Sequence, residues 1–188
     1  RRKRYGSHDR RGQIKGRVSI DERPDIVDQR SRVGDWEADT VIGKPGGAVL
    51  VTLAERATRQ SVVALSPDKS AKAVTKAIVG ALRPLAEQVH TITYDNGKEF
   101  AHHEQIAAAL GASGYFAHPY HSWERGLNEN TNGLIRQYLP KGKSFDSLTP
   151  SDVRRLMKKL NNRPRKCLGF KTPNQVLFGI KPPVALAS

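Results

Sequence analysis

The chain has 188 residues, of which 37% are hydrophobic, and its 32 Lys and Arg against 18 Asp and Glu give a formal net charge of +14. A single cysteine, Cys167, excludes an internal disulfide framework and a cysteine-rich zinc site. No run of 18 apolar residues is present, which excludes a transmembrane helix, and no apolar stretch follows the basic start RRKRYGSHDRR as a secretory leader requires. A cytoplasmic protein is expected.

The charge is unevenly placed. Residues 1–17 carry +7, residues 136–171 carry +9, and residues 18–135 between them carry −3. Clustered basic segments are the footprint of a polyanion binder, although a merely solvated basic surface has the same composition. Carboxylates in the acidic middle would repel phosphate unless a cation stood between them.

In chain order, residues 1–32 read as a basic arm or linker rich in Arg, Gly and Asp, anchored in part at Val18, Ile20 and Ile26. Residues 33–180 form the main domain, and residues 181–188 a loose tail. Residues 35–42 alternate, with Trp36, Ala38, Thr40 and Ile42 on one face and Glu37, Asp39 and Val41 on the other. Two more apolar runs, 48–53 and 60–65, follow after short links, so three strands form an antiparallel meander. Helical spacing over 68–88 is closed by Pro84, with Ser66 or Asp68 as the cap. A strand over 89–94 stops at Asp95-Asn-Gly97. A short helix covers 103–110, and a fifth strand lies at 115–117. Helices follow over 126–139, stopped by Pro140, and over 150–160, with a last turn at 172–178. This order predicts an α/β fold: a mixed five-stranded sheet, a meander followed by α/β crossovers, with helices on both faces.

Three acids fall where such a sheet brings side chains together. Asp39 is inside the first strand, where burial of an ionised group is costly unless it is paired or ligating. Asp95 ends the fourth strand, at the edge where crossover sheets collect active sites. Glu129 lies in the first turn of the following helix. Each has a plainer role: a solvent-facing strand Asp, a turn-forming Asp-Asn-Gly, and an acid favoured by the helix dipole. Glu37, Glu99 and Glu124 are the competing acids. Three close carboxylates need a cation, and oxygen-only ligands suit two Mg²⁺ ions, or Mn²⁺ in their place, as in phosphoryl transfer. Asn132 and Arg136 share Glu129's helix face, in line for successive phosphates, although an ordinary solvated face has the same pattern. The histidines His102, His103, His118 and His121 show no zinc spacing, so no zinc is expected. A mobile loop formed by Tyr120, His121 and Trp123, with Gly126 as its hinge, is a further expectation.

The strings Trp36-Glu-Ala-Asp39-Thr-Val-Ile-Gly43, Tyr94-Asp95-Asn-Gly-Lys-Glu-Phe100 and Trp123-Glu-Arg-Gly-Leu-Asn-Glu129-Asn-Thr-Asn-Gly-Leu-Ile-Arg136-Gln resemble the IS-thirty family of bacterial insertion-sequence transposases. The 33 residues between Asp95 and Glu129 are similar to the spacing in the DDE transposases and retroviral integrases at large. The resemblance implies a ribonuclease-H-like integrase core in which Asp39 bridges two metals, Asp95 completes one site and Glu129 the other. It implies cleavage of transposon ends and transfer of a 3′-hydroxyl to target DNA, by a homo-oligomer assembled on that DNA. Arg125, Asn132, Arg136, Lys141 and Lys143 are then the candidate DNA contacts. Family members generally carry an N-terminal helix-turn-helix region, whereas this sequence begins in its basic segment. A nuclease that does not join strands, and a non-catalytic nucleic-acid-binding module, are the alternatives.

Overall fold

In a computed structural model, residues 14–119 and 121–180 are described. The first thirteen residues of the basic arm, Tyr120 and the tail from residue 181 lie outside them. Strands β1 (Asp35–Ile42), β2 (Val49–Glu55) and β3 (Ser61–Ser66) form the expected meander. Strands β4 (Thr91–Tyr94) and β5 (Ser113–Phe116) add in parallel on the other side of β1, giving the order β3-β2-β1-β4-β5. The fifth strand starts two residues earlier than its apolar content suggests, because Ser113 and Gly114 pair with Thr91 and Ile92 despite their low strand propensity.

The alternation of β1 sorts its side chains between two cores. Trp36 and Ala38 join Val51, Leu53, Ile92, Tyr94 and Phe116 under helices α2 (Ala71–Leu82) and α3 (His103–Leu110). Val41 joins Leu50, Val63, Ile135, Leu156 and Leu160 on the opposite face, under α4 (Gly126–Arg136) and α5 (Pro150–Asn161). Helices therefore cover both faces, and β2, between β3 and the central strand β1, is buried along its whole length. At the edge, the Asn161 side chain accepts from Ser61 N at 2.9 Å and donates to Ser61 O at 2.8 Å, which closes off β3.

Helix boundaries follow from capping. Ser70, rather than Ser66 or Asp68, caps α2 by accepting from Ala73 N, while Asp68 accepts from Ser70 N one step earlier. Past Leu82 the chain tightens into a 3-10 helix through Gln88, with Pro84 in its first turn. Helix α4 ends at Arg136, three residues before the sequence suggests; Gln137 and Tyr138 bond back three residues to Leu134 and Ile135 before Pro140. Thr149 and Asp152 form a reciprocal capping box on α5, and Thr172 and Gln175 form another on α6 (Pro173–Phe178).

The segment before the sheet packs against it. Phe116 N donates to Val18 O at 2.9 Å, and helix α1 (Asp25–Gln29) buries Val27 completely, whereas Ile26 is exposed. Gly34 then admits the chain to the sheet. Its φ of 111° suits only glycine, and a Cβ there would sit 1.9 Å from Gln88 O. Its carbonyl accepts from His90 N and Thr91 N, and its N–H donates to Glu55 Oε1, so one residue ties β1 to both β2 and β4.

Candidate active site

The parallel pairing of β1 with β4 places Glu37 opposite Thr93. Two residues further along each strand, Asp39 and Asp95 come side by side where the ladder ends. Each carboxylate is held. Asp39 Oδ1 accepts from Thr40 N at 2.8 Å and Oδ2 from Asn132 Nδ2 at 2.9 Å, while Asp95 Oδ1 accepts from Gly97 N at 2.8 Å. Between them lies the Arg125 guanidinium, 3.6 Å from Asp39 Oδ2 and 3.5 Å from Asp95 Oδ2. One monovalent cation thus serves two carboxylates. Burial pushes the Asp39 carboxyl above its ordinary range; Arg125 and the Thr40 N–H oppose the shift, and the Asp95 charge adds to it. The site is short of positive charge.

Helix α4 lies along β1 in register. Asn128 N donates to Glu37 Oε2 at 3.1 Å, Asn132 reaches Asp39, and Ile135 enters the same core as Val41. The match is geometric: two strand residues advance about 6.6 Å and four helix residues about 6 Å. Thr52 Oγ1, from β2, donates to Asn132 Oδ1 at 3.1 Å and so orients the amide. Glu129, one turn before Asn132, is exposed and makes no hydrogen bond or ion pair among the described residues. Asp39, Asp95 and Glu129 do not present ligand atoms all within 4.8 Å of one another. The two aspartates are brought together, and Glu129 stands on the adjoining helix face.

The competing acids separate clearly. Glu37, 1% exposed, pairs with Arg56 at 2.6 Å and is spent in that buried ion pair. Glu99 is also buried, accepting from Thr40 Oγ1 at 3.0 Å and pairing with Lys69 at 2.9 Å. Its carboxylate lies beside Asp95: a Cβ on Gly97 would be 2.4 Å from Glu99 Oε2 and 2.8 Å from Asp95 Oδ1. Glu124 sits with His118 and His121, its Oε1 2.8 Å and 3.3 Å from their Nδ1 atoms. That His-His-Glu group brings its ligand atoms within 4.8 Å of one another, closer than spacing suggests, because a 3-10 turn over Ser122–Arg125 folds the chain back. Together with Asp95, Arg125 and Pro119 the two histidines line a cavity of about 430 Å³.

Of the candidate DNA contacts, Arg125 is directed at the two aspartates. Arg136 donates to Ile42 O at 2.6 Å and to Leu139 O at 3.5 Å. Lys141 and Lys143 are exposed on the following loop. Trp123, 69% exposed, stacks against His121 at 4.4 Å. Two partners carried no signal in the sequence. Thr52 is one more β-branched strand residue there, and Arg17 of the arm donates to Asn96 Oδ1, beside Asp95.

Residues 30–122 match the model of the integrase core domain. The chain is 54% identical over 165 residues to a transposase for insertion sequence element IS4351 from Bacteroides fragilis, covering 88% of this chain and 51% of that protein. It is 35% identical over 176 residues to the transposase InsI for insertion sequence element IS30A from Escherichia coli, covering 90% and 46%. Residues 30–122 form an integrase core domain. It spans about half the length of the curated relatives it matches. The fold agrees with that of solved integrase cores: the HTLV-2 integrase catalytic core domain in complex with magnesium superposes with a TM-score of 0.57 at 18% identity, covering 77% of this chain and 96% of that one. A chain of the simian T-cell lymphotropic virus intasome in complex with PP2A regulatory subunit B56 gamma gives 0.63, also at 18% identity, covering 84% and 59%. The fold is thus the ribonuclease-H-like integrase fold. The integrase core match takes in Asp39 and Asp95 and ends before Glu129.

Proposed function

We propose that this integrase core is the catalytic part of a DNA transposase, with Asp39, Asp95 and Glu129 as its acidic residues. The observation that carries the reading is the pair Asp39 and Asp95 facing one guanidinium at the open edge of β1 and β4. The donor set fits a hard divalent cation: carboxylate oxygens only, one of them on a group that burial already biases against carrying its charge. Asp39, Asp95 and Glu129 would hold the ions. When bound, divalent Mg²⁺ or Mn²⁺ supplies charge neutralisation at the phosphate and lowers the pKa of the attacking hydroxyl.

The chain's own residues do the positioning. Asn132, held by Thr52, fixes the orientation of Asp39. Gly97 N tethers one oxygen of Asp95 and leaves the other facing the site. Arg125, freed from the aspartates by a stronger cation, would face a phosphate oxygen. In the cleavage step a water oxygen bonds to phosphorus and the 3′-oxygen leaves, taking a proton. In the transfer step that 3′-hydroxyl attacks a target phosphodiester; one P–O bond forms and one breaks. Exposed basic residues on both sides of the site hold the DNA backbone, which fixes its register without reading sequence. The DNA-bound form would be a homo-oligomer, since two ends must be joined to one target.

Glu129→Gln tests the assignment. The expected result is loss of cleavage and joining on a donor-end duplex with Mg²⁺ or Mn²⁺, at unchanged DNA affinity. Full strand transfer by that variant would sink the acidic trio. Nicks without joined product from the wild-type chain would favour a nuclease.

A further inference from the structure

Three arginines far apart in sequence converge beside the start of α4. Arg30 ends α1, Arg59 lies in the turn between β2 and β3, and Arg165 lies in the loop after α5. With Gly126, Asn130 and Thr131 of α4 they line a cavity of about 240 Å³. Three features set this cavity apart from an ordinary basic surface.

First, the Nε atoms of Arg59 and Arg165 are fully enclosed and have no acceptor among the described residues. An enclosed guanidinium N–H without a partner carries its full desolvation cost. Second, the neighbouring acids are already taken. Asp28 accepts from Arg23 and Arg56, and Glu37 from Arg56 and Asn128 N. Arg30 is pulled below its ordinary range by burial, and then by the charges of Arg59 and Arg56. Third, Arg30 and Arg59 both hold left-handed backbone, at φ 53° and 64°, which side chains other than glycine rarely adopt. Backbone of that kind persists where the surroundings demand it, and it gathers at binding sites.

We propose that this arginine pocket is a preformed site for a backbone phosphate of DNA. A tetrahedral phosphodiester offers acceptors to the guanidinium groups that line the cavity, and guanidinium forks match its oxygens in pairs. The first turns of α4 line the same pocket, and the positive end of the helix dipole favours an anion there. Gly126 and Asn130 also border the adjoining cleft that contains Glu129, on the neighbouring face of the helix. The pocket would set how far the DNA can slide past Glu129. This site rests on the transposase reading only for the choice of DNA as the polyanion.

The test measures duplex binding by fluorescence anisotropy between 50 and 200 mM KCl, using the whole chain. Arg59→Asn, which keeps a residue tolerant of left-handed backbone, and Arg165→Gln are compared with Lys76→Gln, an exposed α2 charge on the opposite face of the sheet. Each phosphate contact contributes about 0.9 to the slope of log K against log salt. The two arginine variants should lose about that much, so their affinity falls about 3-fold less than wild type across this range. Lys76→Gln should keep the wild-type slope. A second arm follows thermal stabilisation by inorganic phosphate at low salt, expected for wild type and absent in Arg59→Asn. Wild-type slopes in both arginine variants overturn the site and leave the transposase reading standing, including the case where inorganic phosphate alone binds. No salt-dependent DNA binding by the wild-type chain overturns both.

Discussion

Replacing Arg56 by Met tests whether one buried ion pair carries helix α4. Arg56 and Glu37 are 4% and 1% exposed and 2.6 Å apart, and Glu37 Oε2 receives the Asn128 N–H in the first turn of α4. Arg56 also donates to Val27 O, which ties α1 to the same node. Its contact to Asp28 adds little, because that carboxylate is 62% exposed. Met fills most of the volume but leaves Glu37 charged and buried, which costs about 3–5 kcal/mol. For a domain of this size that lowers Tm by about 6–20 °C. Burial already raises the Glu37 pKa from 4.5, against Arg56, and without Arg56 it rises further. The folded state then binds more protons than the unfolded one at and above the ordinary carboxylate pKa. Stability of the variant therefore falls as pH rises through that window, and recovers as pH falls below it. Urea unfolding at pH 5 and pH 8 measures both quantities. Adding Glu37→Gln should restore about 1 kcal/mol or more, by removing the stranded charge. A loss under about 1 kcal/mol in Arg56→Met, or a double variant that loses the sum of the singles, refutes the argument.

Gly34→Ala should lower the urea midpoint by an amount equivalent to about 3 kcal/mol, since it adds a Cβ 1.9 Å from Gln88 O at φ 111°; a near-wild-type midpoint contradicts the tie between β1 and β4. Thr149→Ala removes the capping box of α5 and should cost about 1 kcal/mol, seen as a Tm drop of about 2–4 °C. His118, raised above 6.5 first by its hydrogen bond to Glu124 and then by Asp21, should titrate by NMR above that value, and Glu124→Gln should bring it down. Because the folded value is raised, the contact is fully present below the ordinary histidine pKa and is lost as pH rises through the folded one; a midpoint at or below 6.5 removes it.

The period-two pattern of residues 35–42 and the apolar runs after it were enough to place the meander, because each strand has one face in each of two cores. The link from Asp39 to Asp95 followed from one assumption, that β4 lies beside β1, and the register bears it out. Alternation alone could not choose between Glu37 and Asp39, which share a face. What separates them is Arg56, a residue 19 positions away whose turn has no pattern announcing its direction. Arg125 was legible as a basic residue but not as the cation between two aspartates, since its aim depends on the 3-10 turn that precedes α4. The His118, His121 and Glu124 cluster was missed for the same reason: the fold-back that joins them is set by tertiary packing. Glu129's helix was legible from its period, but the exposure of its side chain, with no bond to either aspartate among the described residues, was not.

The most direct measurement is anomalous scattering from crystals soaked in Mn²⁺. The expected result is a peak at Asp39 and Asp95, with the Arg125 guanidinium displaced from them, and loss of that peak in Asp39→Asn. Manganese bound elsewhere, with Arg125 still between the two aspartates, would contradict it.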